Sequence, residues 1–280
     1  MSSIAIITDS TCGLSKELIQ HHQLIVTPCQ VRIGENVYRE GVDLTAEELF
    51  HRMFTSSATP ATSLPAGEDY AAAFEEAQRR GCTQVLGLFV GSSLSGTFNG
   101  ARLAAQDYDL EVELVDSGTT SLALGLLVLE AARRVEAGGA LKEIAESLRA
   151  ETDNLEAYAL LDTLEFVRRG GRIGRVGELI ANVLNIKPIL RVSHNSADVA
   201  ARTRSYRKGL TWLTDTLAEA APVRGLGLTY TSDEAKAIAE GWAEELRPQV
   251  VEGGTILVEP AGAALAVHIG PNGIAILYLK

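Results

Sequence analysis

Short, nearly unbroken apolar runs alternate along the chain with longer segments whose apolar positions recur every three to four residues. The first pattern suits a strand buried on both faces and the second a helix covering a sheet, so their alternation predicts a parallel α/β arrangement. "IAIITDS" (4–10) reads as a strand running into a polar turn, "LSKELIQHH" (14–22) as a short helix, and "LIVTPCQVRI" (24–33) as a second strand interrupted at Pro28. "GENV" (34–37) has hairpin-turn chemistry, since Gly and Asn tolerate positive φ. Thr45 and Glu48 make a capping box that starts a helix in "TAEELFHRMF". The Ser-, Thr- and Pro-rich stretch 55–67 reads as a loop, and "EDYAAAFEEAQRRG" as an amphipathic helix stopped by Gly81.

The alternation continues with strand "QVLGLFV" (84–90), helix "GTFNGARLAAQ" (96–106), strand "VELVDS" (112–117), the apolar helix 120–139 and helix "LKEIAESLRAET" (141–152). Beyond residue 152 the texture changes: "EAYALL" is a strand, 170–190 a glycine-punctuated helical region running into another strand, and "VRGLGLTY", "TILVEP" and "GIAILYL" further strands between helices. Two units follow, 1–152 and 153–280. The expected fold is an N-terminal wound, mostly parallel sheet with helices on both faces, packed against a C-terminal α/β unit without a flexible linker. "TDS" (8–10) and "VDS" (115–117) each close a strand, an echo too short to define a repeat.

With 280 residues, 46% of them hydrophobic, the chain can bury one large core or two smaller ones. A formal charge of −11 disfavours nucleic acid as a partner, because phosphate binding needs a concentrated basic surface. Cys12, Cys29 and Cys82 are too widely spaced for a disulfide framework or a C-x-x-C motif, which points to the cytoplasm. The scattered histidines offer no metal-ligand spacing, and no apolar run is long enough to insert stably in a membrane.

Candidate chemistry concentrates in hydroxyls. "SSLSGT" (92–97) crowds Ser and Thr at the carboxyl end of a strand, where open α/β sheets bind ligands, and before a helix whose first amides favour an anion. The plainer role for any one of these serines is an N-cap. "TSLP" (62–65) places Thr62 and Ser63 similarly, and His268 stands alone before a Gly-Pro turn. Nucleotide-binding motifs are missing, and "GGRIGRVG" (170–177) has the wrong spacing for a dinucleotide loop. A serine hydrolase using Asp116 and His268 would need glycine where Ser95 stands in a G-x-S-x-G elbow.

Seven segments taken together, "ITDSTCGL", "TSLP", "SSLSGTFNGA", "VDS", "LEFVRRGGRIGRVGELIANVLNIKPIL", "ART" (201–203) and "HIGPNGIAI", resemble in order the signatures of the DegV family. The resemblance spans the chain. It implies a two-domain α/β fold with a fatty acid in a tunnel between the domains, its carboxylate held by hydroxyls. It further implies an acyl-carrying subunit of a bacterial fatty acid kinase, without catalytic residues or a cofactor of its own, that feeds an acyl-phosphate-using acyltransferase. The family's carboxylate ligands fall on Thr62 and Ser95, with Ser63 and Ser93 beside them. His268 matches the histidine next to the head group, and Arg202 an arginine of that region. Arg172, within the basic stretch Arg168 to Arg175, is a possible head-group or partner contact, or simply a solvated face.

Leu64 and Ala66 stand where the family commonly has Gln and Ser, and "VSHNSADV" (192–199) replaces its acidic-glycine hairpin. An acyl tail of roughly fourteen methylenes gains about 0.8 kcal/mol for each one buried, so the tail would supply affinity and the hydroxyls would satisfy the acid. An acyl-ester serine hydrolase and a carrier of another amphipathic anion are the alternatives.

Overall fold

The structure, a computed structural model, describes residues 3–43, 48, 51, 52, 60–171 and 186–280. The chain opens with β1 (Ile4–Asp9), α1 (Lys16–His21) and β2 (Ile25–Thr27). Pro28 and Cys29 then carry it out of this sheet, so the apolar stretch 24–33 contributes strands to two different sheets. β3 (Gln30–Ile33) and β4 (Asn36–Arg39) form the hairpin expected at 34–37, with Ile33 opposite Asn36. Part of the expected loop 55–67 is instead a strand: β5 (Ala61–Ser63) pairs antiparallel with β3. Three residues of extended backbone there gain ladder partners from an edge that would otherwise stay open. Thr45 of the expected capping box, Arg172 and most of the glycine-punctuated region lie outside the described residues.

α2 (Gly67–Arg79), β6 (Gln84–Phe89), α3 (Thr97–Ala104) and β7 (Glu111–Asp116) follow. Strands β2-β1-β6-β7 make a wholly parallel sheet, as the unbroken apolar runs require. After α4 (Ser121–Glu136) and α5 (Leu141–Glu151) the remaining strands are β8 (Leu155–Leu160), β9 (Lys187–Ser193), β10 (Ser196–Thr203), β11 (Val223–Tyr230), β12 (Val250–Pro260) and β13 (Ile274–Leu279). Helices α6 (Glu165–Arg169), α7 (Tyr206–Ala220), α8 (Asp233–Glu245) and α9 (Ala263–Ile269) interleave with them. These strands form one six-stranded sheet in the order β10-β9-β8-β13-β11-β12, in which only β11 and β12 run parallel.

The two sheets share a core. Ile4, Ile6, Leu86 and Leu88 of the parallel sheet, Leu155, Ala157, Leu277 and Leu279 of the mixed sheet, and much of α4 belong to one buried cluster. A helix apolar on all sides has to be sandwiched, and α4 is buried continuously from Ser121 to Val128. The alternation in "RGLGL" (224–228) explains how it fits. Leu226 and Leu228 face a second core formed with α7 and α8, while Gly225 and Gly227 leave a groove on the opposite face for α4. A Cβ at Gly225 would lie 2.8 Å from Leu126 Cδ2, and one at Gly227 2.6 Å from Leu122 Cβ. The glycines thus fix the distance between α4 and the mixed sheet.

Gly227→Ala should therefore force the helix outward and cost about 1–3 kcal/mol in urea unfolding, the range for overpacking. Unchanged stability would show that the groove is not close-fitting.

Candidate functional site

Where the sheets do not close on α4 they leave a cavity of about 160 Å³. On the same measure one water needs roughly 10–15 Å³, so the space takes on the order of ten water-sized groups. Its apolar wall includes Val90, Leu94, Ala157, Leu190, Leu265 and Leu277, and no Asp, Glu, Lys or Arg lines it among the described residues. Hydroxyls supply the polarity, including Thr62, Ser63 and Ser95, with His268 close to them.

Each comes from a separate element. Thr62 sits at the centre of β5, and its Oγ1 lies 3.0 Å from His268 Nε2 on α9. Ser63 alternates to the other side of the strand, where its hydroxyl donates to Gln30 Oε1 at 3.1 Å. Ser95 precedes α3, accepts the Thr97 amide at 3.3 Å and meets Thr97 Oγ1 at 2.8 Å. The buried Thr97 hydroxyl can be the donor in that pair, which leaves the Ser95 proton for the cavity. Ser95 therefore both accepts the first amide of α3 and forms part of the cavity wall.

Two aspartates hold the hydroxyl turn 90–97, one from each strand beside β6. Asp9, at the end of β1, accepts the Val90 amide at 2.8 Å as well as the Thr11 amide and hydroxyl. Asp116, at the end of β7, accepts the amides of Ser92 at 3.0 Å and Gly118 at 3.1 Å. The echo of "TDS" and "VDS" is this pair of brackets. From the mixed sheet, the turn between β9 and β10 reaches across with His194 and Asn195 at φ 50° and 58°. Asn195 donates to Asp116 Oδ2 at 3.0 Å and accepts the Ser93 amide at 3.2 Å, while its carbonyl accepts the Ser93 hydroxyl. The "VSHNSADV" hairpin thus ties the mixed sheet to the hydroxyl turn.

Residues 3–280 match the family model described as an uncharacterised protein of the DegV family. The chain belongs to the DegV family. It is 33% identical over 279 residues to a DegV domain-containing protein of Deinococcus radiodurans, covering 98% of this chain and 97% of the other. Its fold is similar to that of a fatty-acid-binding DegV family protein from Thermus thermophilus, with TM-score 0.88, 30% identity and 100% of each chain covered. A stearic-acid-binding protein from Eubacterium ventriosum is also similar, with TM-score 0.86, 26% identity and coverage of 99% and 98%. The expected α/β architecture, a parallel sheet with helices joined to a C-terminal sheet unit, is that of these DegV structures.

In this DegV chain Thr62, Ser63, Ser95 and His268 all line the cavity. Ser93 is exposed and committed to Asn195, and Arg202 is exposed on β10; neither lines the cavity. The sequence reading missed the residues that place His268. Gly170, after α6, lies against the imidazole, where a Cβ would come within 2.1 Å of Nδ1. Glu40, 6% exposed, caps the start of α9 from the β4 side, accepting the Ala264 amide at 3.2 Å and the Ser10 hydroxyl at 2.8 Å. Nothing local in "YREGVD" marks Glu40, because its partners stand 30 and 224 residues away. The "TDS" echo was the visible sign of Asp9 and Asp116.

Burial raises the Asp9 and Glu40 carboxyls above their ordinary 3.8 and 4.5, with the hydrogen bonds from Thr11 and Val90, and from Ser10, offsetting part of the effect. A raised carboxyl contributes its stability fully below its unfolded value and loses it as pH rises through the folded one. Glu40→Gln retains an acceptor for Ala264 but does not ionise. The difference in melting temperature, variant minus wild type, should therefore grow in the variant's favour from pH 5 to pH 8; a pH-independent difference contradicts the assignment. Asn195→Ala should speed amide hydrogen exchange at Ser92 and Ser93 while the β6 amides stay protected. Equal exchange in both proteins would mean that the hairpin does not hold the turn.

Proposed function

We propose that this protein binds a long-chain fatty acid, with the acyl chain between the two sheets and the carboxylate on the hydroxyls of Thr62 and Ser95. The carrying observation is a cavity with an apolar wall, no charged lining residue among those described, and the hydroxyl residues Thr62 and Ser95 on its lining. An anion cannot be left bare in such a place, and neutral donors are what the wall offers. Similarity to DegV proteins whose names state fatty acid or stearic acid binding supports the same reading.

The hydrogen-bond pattern suits a donor role. With its proton on Nε2, His268 donates to Thr62 Oγ1, and Thr62 turns its own proton toward the carboxylate. Thr97 in the same way frees Ser95. Donors of this kind rotate, so one carboxylate oxygen can be released for attack on a phosphoryl group, which a bidentate arginine would restrain. The protein on this account is a carrier in the cytoplasm that presents the bound acid to a partner kinase, for use by an acyl-phosphate-dependent acyltransferase. It needs no cofactor, metal or nucleic acid and does not insert in a membrane. Among the described residues no helix is long and apolar enough to cross one, and no group of His, Cys, Asp and Glu is placed to hold a metal.

The hydrolase alternative is less well supported. His268 Nε2 faces Thr62 rather than Ser95, and Asp116 is occupied by turn amides and Asn195. A carrier of another amphipathic anion would use the same wall, and the ligand's identity separates the two.

Organic extraction of the purified protein followed by mass spectrometry should release a long-chain fatty acid. Thr62→Val combined with Ser95→Ala should weaken its binding by about 10- to 100-fold, the scale of hydrogen bonds to a charged group. An empty or non-lipid extract, or unchanged affinity in the double variant, would overturn the reading.

A further inference from the structure

The cavity has a second set of hydroxyls, where α4 begins. Thr120, Ser121 and Thr229 line it there. Thr120 occupies the N-cap position of α4 but makes no cap hydrogen bond, and its Oγ1 is buried without a partner among the described residues. Ser121 is 6% exposed and Thr229 2%, and neither side chain has a hydrogen-bond partner among the described residues. Gly227 faces Leu122 of α4, so by strand alternation Thr229, two residues on, faces the same interior. Ser121 also holds φ at 61°, a left-handed conformation unfavourable for a residue with a Cβ.

A plain hydrocarbon passing this point would leave three hydroxyls desolvated and unsatisfied, each at a cost. The start of a 16-residue helix adds unpaired amides and a positive dipole end, which favour an acceptor oxygen. The hydroxyls of Thr120 and Thr229 can in turn accept a proton. A neutral hydroxyl, which donates once and accepts twice, can bond to both kinds of group at this point.

We propose that the cavity selects an oxygenated acyl chain, one with a hydroxyl group where the chain passes Thr120, Ser121 and Thr229. This rests on the fatty-acid reading above and narrows it to a class of acid. The hydroxyl accepts from the α4 start and donates to a threonine oxygen, while the methylenes on either side meet the apolar wall.

The test is competition binding with stearate and a set of hydroxystearates in which the hydroxyl is moved stepwise along the chain. One position should bind at least about tenfold tighter than stearate, the scale of one net hydrogen bond. Thr120→Val keeps the shape, and Ser121→Gly suits the left-handed backbone. Each should bring the preferred hydroxystearate down to the affinity of plain stearate, and a far-UV circular dichroism spectrum matching wild type shows that the variants fold. If stearate binds wild type and every hydroxystearate binds more weakly, the inference is wrong and the fatty-acid reading stands. If no acid of either kind binds, both are wrong.

Discussion

The hydrogen bonding of one turn by two aspartates is what the rest of the site depends on. Asp9 and Asp116 end the strands on either side of β6 and take the amides that follow it. Backbone amides at a strand end that leaves its sheet lack ladder partners, and unsatisfied buried amides are costly. By supplying acceptors from both neighbours, the parallel sheet lets the chain hold an irregular, hydroxyl-rich turn at its edge. Ser95 then lies where its oxygen accepts the first amide of α3 and its proton remains for the cavity. Neither aspartate lines the cavity.

The second constraint is α4, wedged between the sheets. Leu122 and Leu126 enter the groove over Gly227 and Gly225, which sets the separation of the two layers. Past the start of the helix the same separation is filled by the cavity rather than by side chains. Packing and ligand space are therefore consequences of one spacing. On the proposed function, methylenes against the apolar wall would provide affinity, and hydroxyls at fixed points along it would decide which acid is accepted. Glu40 and Gly170 act one step further out, on α9 and on the imidazole of His268, and the Asn195 hairpin joins the mixed sheet to the turn.

Much of this was legible in the sequence because it is local. The apolar runs at 4–9 and 84–89 specify buried parallel strands, the alternating 111–116 an edge strand beside them, and Gly81 stops α2 with φ at 77°. Thr62, Ser95 and His268 stood out as polar residues in turn contexts, and all three line the cavity. What escaped depends on distant partners. Strand β5 exists because β3 offers an edge, and Glu40 matters because α9 begins beside it. Asn195 sits in a turn whose φ values its sequence permits, but its partners Ser93 and Asp116 lie in the other half of the chain. Ser93 stands beside Ser95 as a lesser candidate in sequence, and the hairpin takes its hydroxyl while Ser95 stays with Thr97 at the cavity.

The central claim is that an acid head group is held inside the protein by uncharged hydroxyls, and its most direct test is NMR of a bound fatty acid labelled with carbon-13 at the carboxyl. The account predicts one bound resonance, distinct from that of the free acid, that shifts when the Thr62 hydroxyl is removed in Thr62→Val while a label on the terminal methyl is unaffected. A carboxyl resonance matching the solvent-exposed acid, or one insensitive to Thr62, would contradict it.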